Sequence, residues 1–348
     1  MSDVRSILLI RPSALGDVCR TVPVLVSIKR AFPSARVDWL VQDGFAAAIA
    51  HHPDLGRAIA FDRKGLGRQS KRGNLAPIRR FFNSLREPRY DIVFDCQGLL
   101  RSGIFAWATR APRRVGFANA RELGWLGVNE RHAVPTTLHS VDRMLELLRM
   151  AGVPTVRDMR LYADPQARHD VAAALEHAGP TYAVVAPTSR WAAKRWPADR
   201  FAAVVKALRG IGYSGVVLVG GNNEREQCGP LLDVAAHDPH VIDRIGGTSV
   251  AQLMAIIESS SLVIANDSAA LHMAVGFDRP TVALYGPTSV PLVGPYQRPQ
   301  DVIQHITPSD SLDHKNDNQV ALMERIGVDE VISAAAERFS RSCVQTHA

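Results

Sequence analysis

One stretch, residues 261–276, constrains the fold of this chain more than any other. A short apolar run at 262–265 is followed by a polar turn and then by small and apolar residues that end at Gly276. The run predicts a buried strand, and the residues after the turn predict a helix. Asp267 or Ser268 is expected to cap that helix through its side chain. The stretch is therefore a strand–turn–helix unit, which is typical of α/β proteins.

The polar turn of this unit also has the properties of a ligand site. A helix start exposes unpaired backbone N–H groups and a partial positive charge, both of which suit phosphate. Ser268 and Ala269 are small enough to leave these groups accessible, and His272 follows on the same helical side. We interpret the turn as the seat of a diphosphate-linked substrate. On this pattern alone, an equally good interpretation is a purely structural unit in which His272 is a packing residue.

The strand–turn–helix alternation occurs in two sets, separated by a segment at about 154–180. Two sets of units, each with its own first strand, predict two doubly wound Rossmann-like domains facing a cleft. We expect the domains at residues 1–155 and 180–327, followed by a helix and tail at 328–348 that pack back on the first domain. The predicted strands are 6–10, 36–41, 58–61, 90–95, 113–117, 182–186, 215–219, 241–243, 262–265 and 281–284.

Charge is distributed unevenly between the two halves. Residues 1–155 contain 24 Lys and Arg against 13 Asp and Glu, whereas residues 156–348 contain 17 against 21. The basic excess is densest at 63–89, and it favours an anionic partner such as an acidic sugar, a lipid or a membrane surface. A solvated helix face is the structural alternative. Nucleic acid is not expected, because this segment has few aromatic residues and no nucleic-acid-binding motif.

Several other classes of function lack their sequence signals. No apolar run reaches the roughly 18 residues that a membrane-spanning helix needs, and the first residues do not resemble a signal peptide. GxGxxG, P-loop and HExxH motifs do not occur in the sequence, so we expect no dinucleotide cofactor and no metal site. The four cysteines are scattered without a CxxC pair, which favours a reducing, cytoplasmic environment.

Asp17 is the first candidate for catalysis. It follows Gly16 at the predicted start of a helix, beyond the carboxyl end of the first strand. Open α/β sheets bind their ligands at that end of the strands. A carboxylate there could be a general base, but its position alone favours a plain helix cap.

Six segments together resemble glycosyltransferase family 9, the ADP-heptose:lipopolysaccharide heptosyltransferases, and most of all heptosyltransferase I. The resemblance extends from about Ile7 to the final helix. The combination of Gly-Asp near the start with Asp-Ser-x-x-x-His and Gly-Pro-Thr near the end is specific. The segments are 10–18 (IRPSALGDV), 95–102 (DCQGLLRS), 188–196 (TSRWAAKRW), 246–249 (GGTS), 266–272 (NDSAALH) and 285–288 (YGPT).

This resemblance implies a GT-B fold, with the donor bound mainly by the second domain and the acceptor by the first. It implies inverting transfer of a heptose from ADP-L-glycero-D-manno-heptose to the lipopolysaccharide inner core, at Kdo on lipid A, without a metal or other cofactor. The expected partners are thus an ADP-sugar donor and an anionic lipid-linked saccharide acceptor. The implied location is the cytoplasmic face of the inner membrane, as a peripheral protein.

The resemblance also assigns roles to individual residues. Asp17 would be the general base that removes the proton of the acceptor hydroxyl, and Lys194 would bind the diphosphate, with Arg195 as the alternative for that role. Ala269 stands where the family often has glycine. The remaining donor-site residues are Thr188 for the phosphates, Glu224 for the ribose, Asp267 for the heptose or the turn, and Ser268, Ala269 and His272 for the diphosphate seat.

Acceptor contacts are expected in the basic first half, at Arg63, Lys64 and Arg101. Within the same family, a different acceptor or nucleotide sugar is the main alternative function. A nucleotide-sugar epimerase would need a second acid/base carboxylate, for which the sequence offers no candidate. A nucleotide-sugar-binding protein without activity is the non-enzymatic alternative, and the presence of Asp17 is an indication against it.

Overall fold

The structure is a computed structural model that describes residues 4–345. The chain forms two compact units, the first ending at Tyr162 and the second beginning at Ala163. Each unit contains one six-stranded parallel sheet. The fold class predicted from the strand–turn–helix alternation is confirmed.

The sheet of the first unit has the strand order β3-β2-β1-β4-β5-β6. Its central strand β1 is apolar, and Ile7 to Ile10 are completely buried, because helices cover both faces of the sheet. The strands are β1 (Ser6–Ile10), β2 (Arg36–Gln42), β3 (Arg57–Phe61), β4 (Ile92–Asp95), β5 (Arg113–Phe117) and β6 (Glu130–His132). The helices are α1 (Leu15–Arg20), α2 (Val22–Ala31), α3 (Arg63–Lys71), α4 (Ala76–Arg86), α5 (Leu100–Ala108) and α6 (Ser140–Met150).

The sheet of the second unit repeats this topology, with the order β12-β11-β10-β7-β8-β9. Its strands are β7 (Ala183–Ala186), β8 (Val216–Gly220), β9 (Val241–Ile245), β10 (Leu262–Asn266), β11 (Thr281–Leu284) and β12 (Val302–Ile303). The helices are α7 (Pro165–Leu175), α8 (Ala198–Ile211), α9 (Gly229–His237), α10 (Val250–Glu258), α11 (Ala269–Gly276), α12 (Val290–Val293), α13 (Ala321–Glu324) and α14 (Val328–Gln345).

All ten predicted strands are present, to within two residues at their ends. Two strands were not predicted, β6 and β12, which are short edge strands without an apolar run. From the sequence, Gly65, Gly67, Gly73 and Pro77 favour a loop before a helix near 78–85, yet residues 63–71 form α3. Two glycines cost this helix about 2 kcal/mol of intrinsic propensity, so tertiary context decides its conformation.

The boundary between the units falls inside the segment at about 154–180 that was predicted to separate the domains. Val156 belongs to the first unit, since its N–H donates to the Ser27 hydroxyl of α2 at 2.9 Å. Helix α7 belongs to the second unit, where Arg168 forms an ion pair with Glu258 of α10 at 2.5 Å. The predicted linker is therefore divided between the two units.

The last helix, α14, was expected to pack back on the first domain, and it belongs to the second unit. Phe339 contacts the ring of Tyr213, which follows α8, at 4.9 Å between centroids. The Tyr213 hydroxyl donates to the carbonyl of Ala335, which is completely buried. The apolar side of α14 is therefore part of the core of the second unit.

Two further features concern the whole described chain. No helix within residues 4–345 is long and apolar enough to cross a membrane. The same residues contain no group of three or more His, Cys, Asp and Glu side chains placed to hold a metal ion.

Candidate functional site

Both sheets reverse their strand order at one point, between β1 and β4 in the first unit and between β7 and β10 in the second. In open α/β sheets, ligands bind outside the carboxyl ends of the strands at such a switch point. The segments after these four strands contain Asp17, the turn at 95–98, Thr188 and Asp267. Four of the family-like segments therefore lie where the topology predicts ligand sites.

Asp17 lies in the first turn of α1, which begins at Leu15, so its predicted position at a helix start is confirmed. One carboxylate oxygen is ion-paired with Arg20, on the next turn, and the other lies 3.1 Å from an Arg11 guanidinium nitrogen. That second oxygen also accepts a hydrogen bond from the Ala14 N–H at 3.2 Å. Asp17 therefore interacts with the helix start, as a cap would, while its side chain stays 24 % exposed.

These ion pairs control the acidity of Asp17. Burial alone would raise its pKa, but the positive charges of Arg11 and Arg20 and the Ala14 N–H outweigh that effect. The pKa of Asp17 is consequently held well below its usual range. The carboxylate is ionised at neutral pH, which is the protonation state that a general base requires, but it is a weak base.

The turn after β4 is built around a buried carboxylate, Asp95. Its oxygens accept hydrogen bonds from the N–H groups of Gln97 and Gly98 and from the Ser102 hydroxyl, at 2.8–3.1 Å. Burial raises the pKa of Asp95 to about 6, against these hydrogen bonds and the charge of Arg11, which lower it. Arg11 also donates to the Cys96 carbonyl at 2.6 Å, so one arginine joins this turn to Asp17.

The predicted acceptor residues form a second basic group in the first unit. Arg63 and Lys64 are the first residues of α3 and line an open cavity of about 450 Å³ together with Gln42. Arg101 lies on α5. Its pKa is lowered mainly by burial and next by the positive charge of the nearby Arg63. The structure thus places Arg63 and Arg101 in the same electropositive region.

In the second unit, Lys194 and Asp267 form a close ion pair. Lys194 Nζ lies 2.5 Å from Asp267 Oδ2, and both side chains are largely buried. The neighbouring Arg195 donates instead to the carbonyls of Ser189 and Arg190 in its own loop. Lys194 is therefore the cation that pairs with Asp267 at this switch point, and the diphosphate role of Lys194 or Arg195 stays a prediction.

The prediction that a side chain caps the start of α11 is wrong. Ser268 occupies the N-cap position, but its hydroxyl makes no capping hydrogen bond, and Asp267 pairs with Lys194. Within the described residues, the buried Ser268 Oγ has no hydrogen-bond partner, and neither has the buried Thr288 Oγ1 after β11. Buried hydroxyls in native interiors usually have a partner, so these two are available to hydrogen-bond a polar ligand. Ser268 lies at the start of α11, where Ala269 is the first residue.

Thr188 and Glu224 contact each other directly. The Thr188 hydroxyl donates to Glu224 Oε2 at 2.6 Å, and the same oxygen accepts from the Gly221 N–H at 2.9 Å. A threonine hydroxyl has one hydrogen to donate. Because that hydrogen goes to Glu224, Thr188 orients the carboxylate in this structure, whereas the sequence suggested that it would donate to phosphate.

His272 is buried on α11, with its Nε2 atom 3.9 Å from Asp267 Oδ1. The Tyr285 hydroxyl lies 3.4 Å from the same oxygen. His314, which the sequence analysis did not select, is close enough to Lys194 and Asp267 for their charges to shift its pKa in opposite directions. Burial, followed by the Lys194 charge, lowers its pKa.

Sequence reasoning missed the partners of its own candidates. Arg20 could have been found, since it lies three residues after Asp17 on one helix. Arg11 lies within a family-like segment and was given no role there. His314 gives no signal, because it lies in an irregular segment far along the chain from Lys194.

Comparison with known proteins identifies the family. Residues 78–321 match the family described as glycosyltransferase family 9 (heptosyltransferase). Lipopolysaccharide heptosyltransferase 1 of Pseudomonas aeruginosa is 32% identical over 308 residues, which cover 84% of this chain and 82% of that protein. Both matches include the segments that follow β4, β7, β10 and β11.

Solved structures show the same fold. ADP-heptose lipopolysaccharide heptosyltransferase II of Escherichia coli superimposes with a TM-score of 0.78 at 22% identity, covering 99% of this chain and 100% of the other. Escherichia coli heptosyltransferase WaaC with ADP-2-deoxy-2-fluoro heptose has a TM-score of 0.70 at 25% identity, with coverages of 92% and 99%. With its two Rossmann-like units and these relatives, the chain belongs to glycosyltransferase family 9, the heptosyltransferase family, and is a glycosyltransferase of the GT-B fold.

Proposed function

We propose that this protein transfers a heptose from ADP-L-glycero-D-manno-heptose to the lipopolysaccharide inner core, with Kdo on lipid A as the acceptor. The proposal rests on the similarity to lipopolysaccharide heptosyltransferase 1 and to a heptosyltransferase bound to an ADP-heptose analogue. Membership of a glycosyltransferase family favours this transfer reaction over the nucleotide-sugar epimerase reaction, which the sequence alone did not exclude.

The single observation that carries the donor assignment is the Lys194–Asp267 pair at the start of α11. An ammonium group has three hydrogens, so Lys194 can hold Asp267 and still donate to a phosphate oxygen. Asp267 would then position Lys194, and the orphaned hydroxyls of Ser268 and Thr288 would find partners on the diphosphate. Negative charge that develops on the leaving ADP would be stabilised by Lys194, the start of α11 and His272.

Asp17 is the proposed general base. The acceptor hydroxyl oxygen attacks the anomeric carbon, the bond from that carbon to the diphosphate breaks, and its electron pair leaves with ADP. The proton of the hydroxyl goes to Asp17. A single displacement of this kind inverts the anomeric configuration and needs only one carboxylate.

The low pKa of Asp17 sets a condition on this step. A weak base is effective only when the attacking hydroxyl has become acidic, which happens as its oxygen bonds to the electron-poor anomeric carbon. In the proposed transition state, the bond between the anomeric carbon and ADP is therefore largely broken, and the proton moves to Asp17 late. An anionic acceptor group that engages Arg11 or Arg20 would weaken their pairing with Asp17 and make it a stronger base.

The test is acceptor-dependent release of ADP from ADP-heptose, measured with and without Kdo-lipid A on the wild type and Asp17→Asn. We expect the variant to lose about 10²–10⁴-fold in turnover, the usual contribution of a positioned acid or base. Its affinity for ADP should be unchanged, because the donor residues lie in the other unit. Asp43→Asn, an exposed aspartate of the same unit, is the matched control and should retain full activity.

Three outcomes would change the proposal. Full turnover in Asp17→Asn would remove Asp17 as the base. Binding of ADP-heptose without turnover on Kdo-lipid A would retain the donor site and require another acceptor. Failure to bind ADP-heptose at all would require another nucleotide sugar.

A further inference from the structure

Helix α5 in the first unit has apolar side chains on its outer side, where a surface helix normally has polar ones. Leu100, Ile104 and Trp107 are 44%, 41% and 60% exposed. Their spacing of four and three residues places them on one stripe of the helix. The opposite side of α5, including Phe105 and Ala106, is buried in the core of the unit. The outer stripe is therefore an apolar surface in addition to the face that packs inward.

A neighbouring turn enlarges this surface. Leu126 lies in the 3₁₀ turn Gly124–Gly127 and is 56% exposed. Leu123, directly before this turn, is 57% exposed. The turn lies directly on α5, since a methyl group added to Gly103 would overlap the carbonyl of Gly124. Leu123 has φ of 59°, a left-handed conformation that disfavours a leucine, and such strain is often associated with function. We call Leu100, Ile104, Trp107, Leu123 and Leu126 the apolar face.

The residues around the apolar face are strongly basic. Arg101 and Arg121 are exposed within two residues of Leu100 and Leu123, and Arg110 is exposed one turn after Trp107. The exposed Arg131 lies over the Trp125 ring of the turn at 4.7 Å, and Glu122 is the acidic residue of this group. Helix α4 adjoins α5, where Arg86 Nε donates to the Ala108 carbonyl at 3.0 Å. The segment 63–89, which includes α3 and α4, contains nine Lys and Arg and a single acidic residue, Glu87. The apolar face thus adjoins a surface with a large excess of positive charge.

We propose that the apolar face inserts shallowly into a bilayer that contains anionic phospholipids. Trp, Leu and Ile flanked by arginines are the composition of interfacial membrane-binding surfaces, in which apolar side chains enter the acyl boundary and the cations contact lipid phosphates. A symmetric pair of chains joined through this face would bring the basic surroundings of both copies together, so a second copy is disfavoured by repulsion. The inference rests on the lipid-linked acceptor of the proposed function, to which it adds the surface that reaches the membrane.

The test is flotation of the full-length protein with vesicles, in the absence of donor and acceptor. We expect binding to vesicles of phosphatidylglycerol and phosphatidylcholine at low salt, and much weaker binding to phosphatidylcholine alone. The double variant Ile104→Ser/Trp107→Ser should bind the anionic vesicles about tenfold more weakly, because two apolar side chains no longer leave water. Met150→Ser is the matched control, since Met150 is 39% exposed elsewhere in the same unit.

Tryptophan fluorescence locates the contact. Of the five tryptophans, Trp39 and Trp196 are buried, Trp125 and Trp191 are half-buried, and Trp107 is exposed. Insertion should therefore shift the emission of the wild type to shorter wavelength on anionic vesicles, mainly through Trp107. Trp107→Phe should retain binding, because phenylalanine is also apolar, but should lose most of this shift. Circular dichroism of each variant would show that its fold is retained.

Equal flotation of the wild type and the double variant would overturn the proposal, as would an absence of binding to anionic vesicles. A wild-type dimer in sedimentation that becomes monomeric in the double variant would also overturn it, by assigning the face to a second copy. Turnover on detergent-dispersed acceptor separates this inference from the proposed reaction. If turnover is retained while vesicle binding fails, only the membrane surface is wrong.

Discussion

At the scale of single residues, the most informative feature is the pairing of Asp17 with two arginines. Arg11 belongs to the segment after β1, and Arg20 ends α1. Since the pKa of Asp17 lies below its ordinary value of 3.8, the native state is stabilised by these pairs at pH values above about 4. This stabilisation is lost as the pH falls through the lowered pKa. Asp17 therefore stays ionised throughout the neutral range.

Removing one of the arginines should make Asp17 a stronger base. In Arg20→Gln the charge that lowers the pKa of Asp17 is lost, while burial, which raises it, is retained. We expect the acidic limb of the pH profile of kcat/KM to move to higher pH. The measurement is kcat/KM as a function of pH, with saturating donor and limiting acceptor.

The control for this prediction is Arg149→Gln, which removes an exposed arginine that pairs with Glu146 on α6. It should leave the pH profile unchanged. Coincident profiles for Arg20→Gln and the wild type, with the variant folded, would show that Arg20 does not control the ionisation of the catalytic group.

At the scale of elements, α14 shows how one helix is attached by a few contacts. The Phe339 ring meets Tyr213 edge to face, and it lies on Gly212 at the end of α8, where a larger residue would overlap the ring. Gly212 also has φ of 127°, which favours glycine, so conformation and packing require the same residue. The end of α8 is thus shaped to receive α14.

Phe339→Ala should weaken this attachment. We expect the free energy of unfolding of the second unit to fall by about 2 kcal/mol, less than for a fully buried phenylalanine because Phe339 is only partly buried. Urea unfolding followed by circular dichroism measures the change. Ser333→Ala, at an exposed position on the same helix, is the control and should change stability little. Equal stability of Phe339→Ala and the wild type would mean that this contact does not stabilise the unit.

At the scale of the whole molecule, the same sheet topology occurs twice but with different chemistry at its switch points. The first unit has an ionised carboxylate between arginines, and the second has a Lys–Asp pair beside orphaned hydroxyls. This division separates the proposed proton transfer from the proposed binding of ADP. Each function can therefore be examined by itself.

Hydrogen exchange with and without ADP should reveal this division. We expect protection in the second unit, in peptides that contain Thr188, Glu224, Ser268 and Thr288, because ligand contacts stabilise the local backbone. The peptide that contains Asp17 should not be protected by ADP alone.

Two lysine variants make this measurement specific. Lys194→Gln should reduce the protection by weakening ADP binding about tenfold to a hundredfold, the usual loss for a hydrogen bond to a charged group. Lys206→Gln, at an exposed position on α8, should leave it unchanged. Protection that is independent of Lys194 would contradict the donor site proposed here.

The amino-acid sequence by itself determined the ten long strands and the repetition of the Rossmann pattern. Strands of a parallel sheet are buried on both faces and so appear as continuous apolar runs. The polar turns that follow these strands also identified Asp17 and the segment at 266–272 as candidates. These are local patterns, which a single stretch of sequence can contain.

Only the tertiary structure decided which candidates meet. Lys194 rather than Arg195 pairs with Asp267, Thr188 donates to Glu224, and Arg11 joins Asp17 to the turn after β4. The edge strands β6 and β12 and the outward-facing apolar stripe of α5 likewise escape sequence patterns. Pairing between distant segments depends on the angle and depth at which they pack, and an apolar helical stripe has the same spacing whether it faces the core or the solvent.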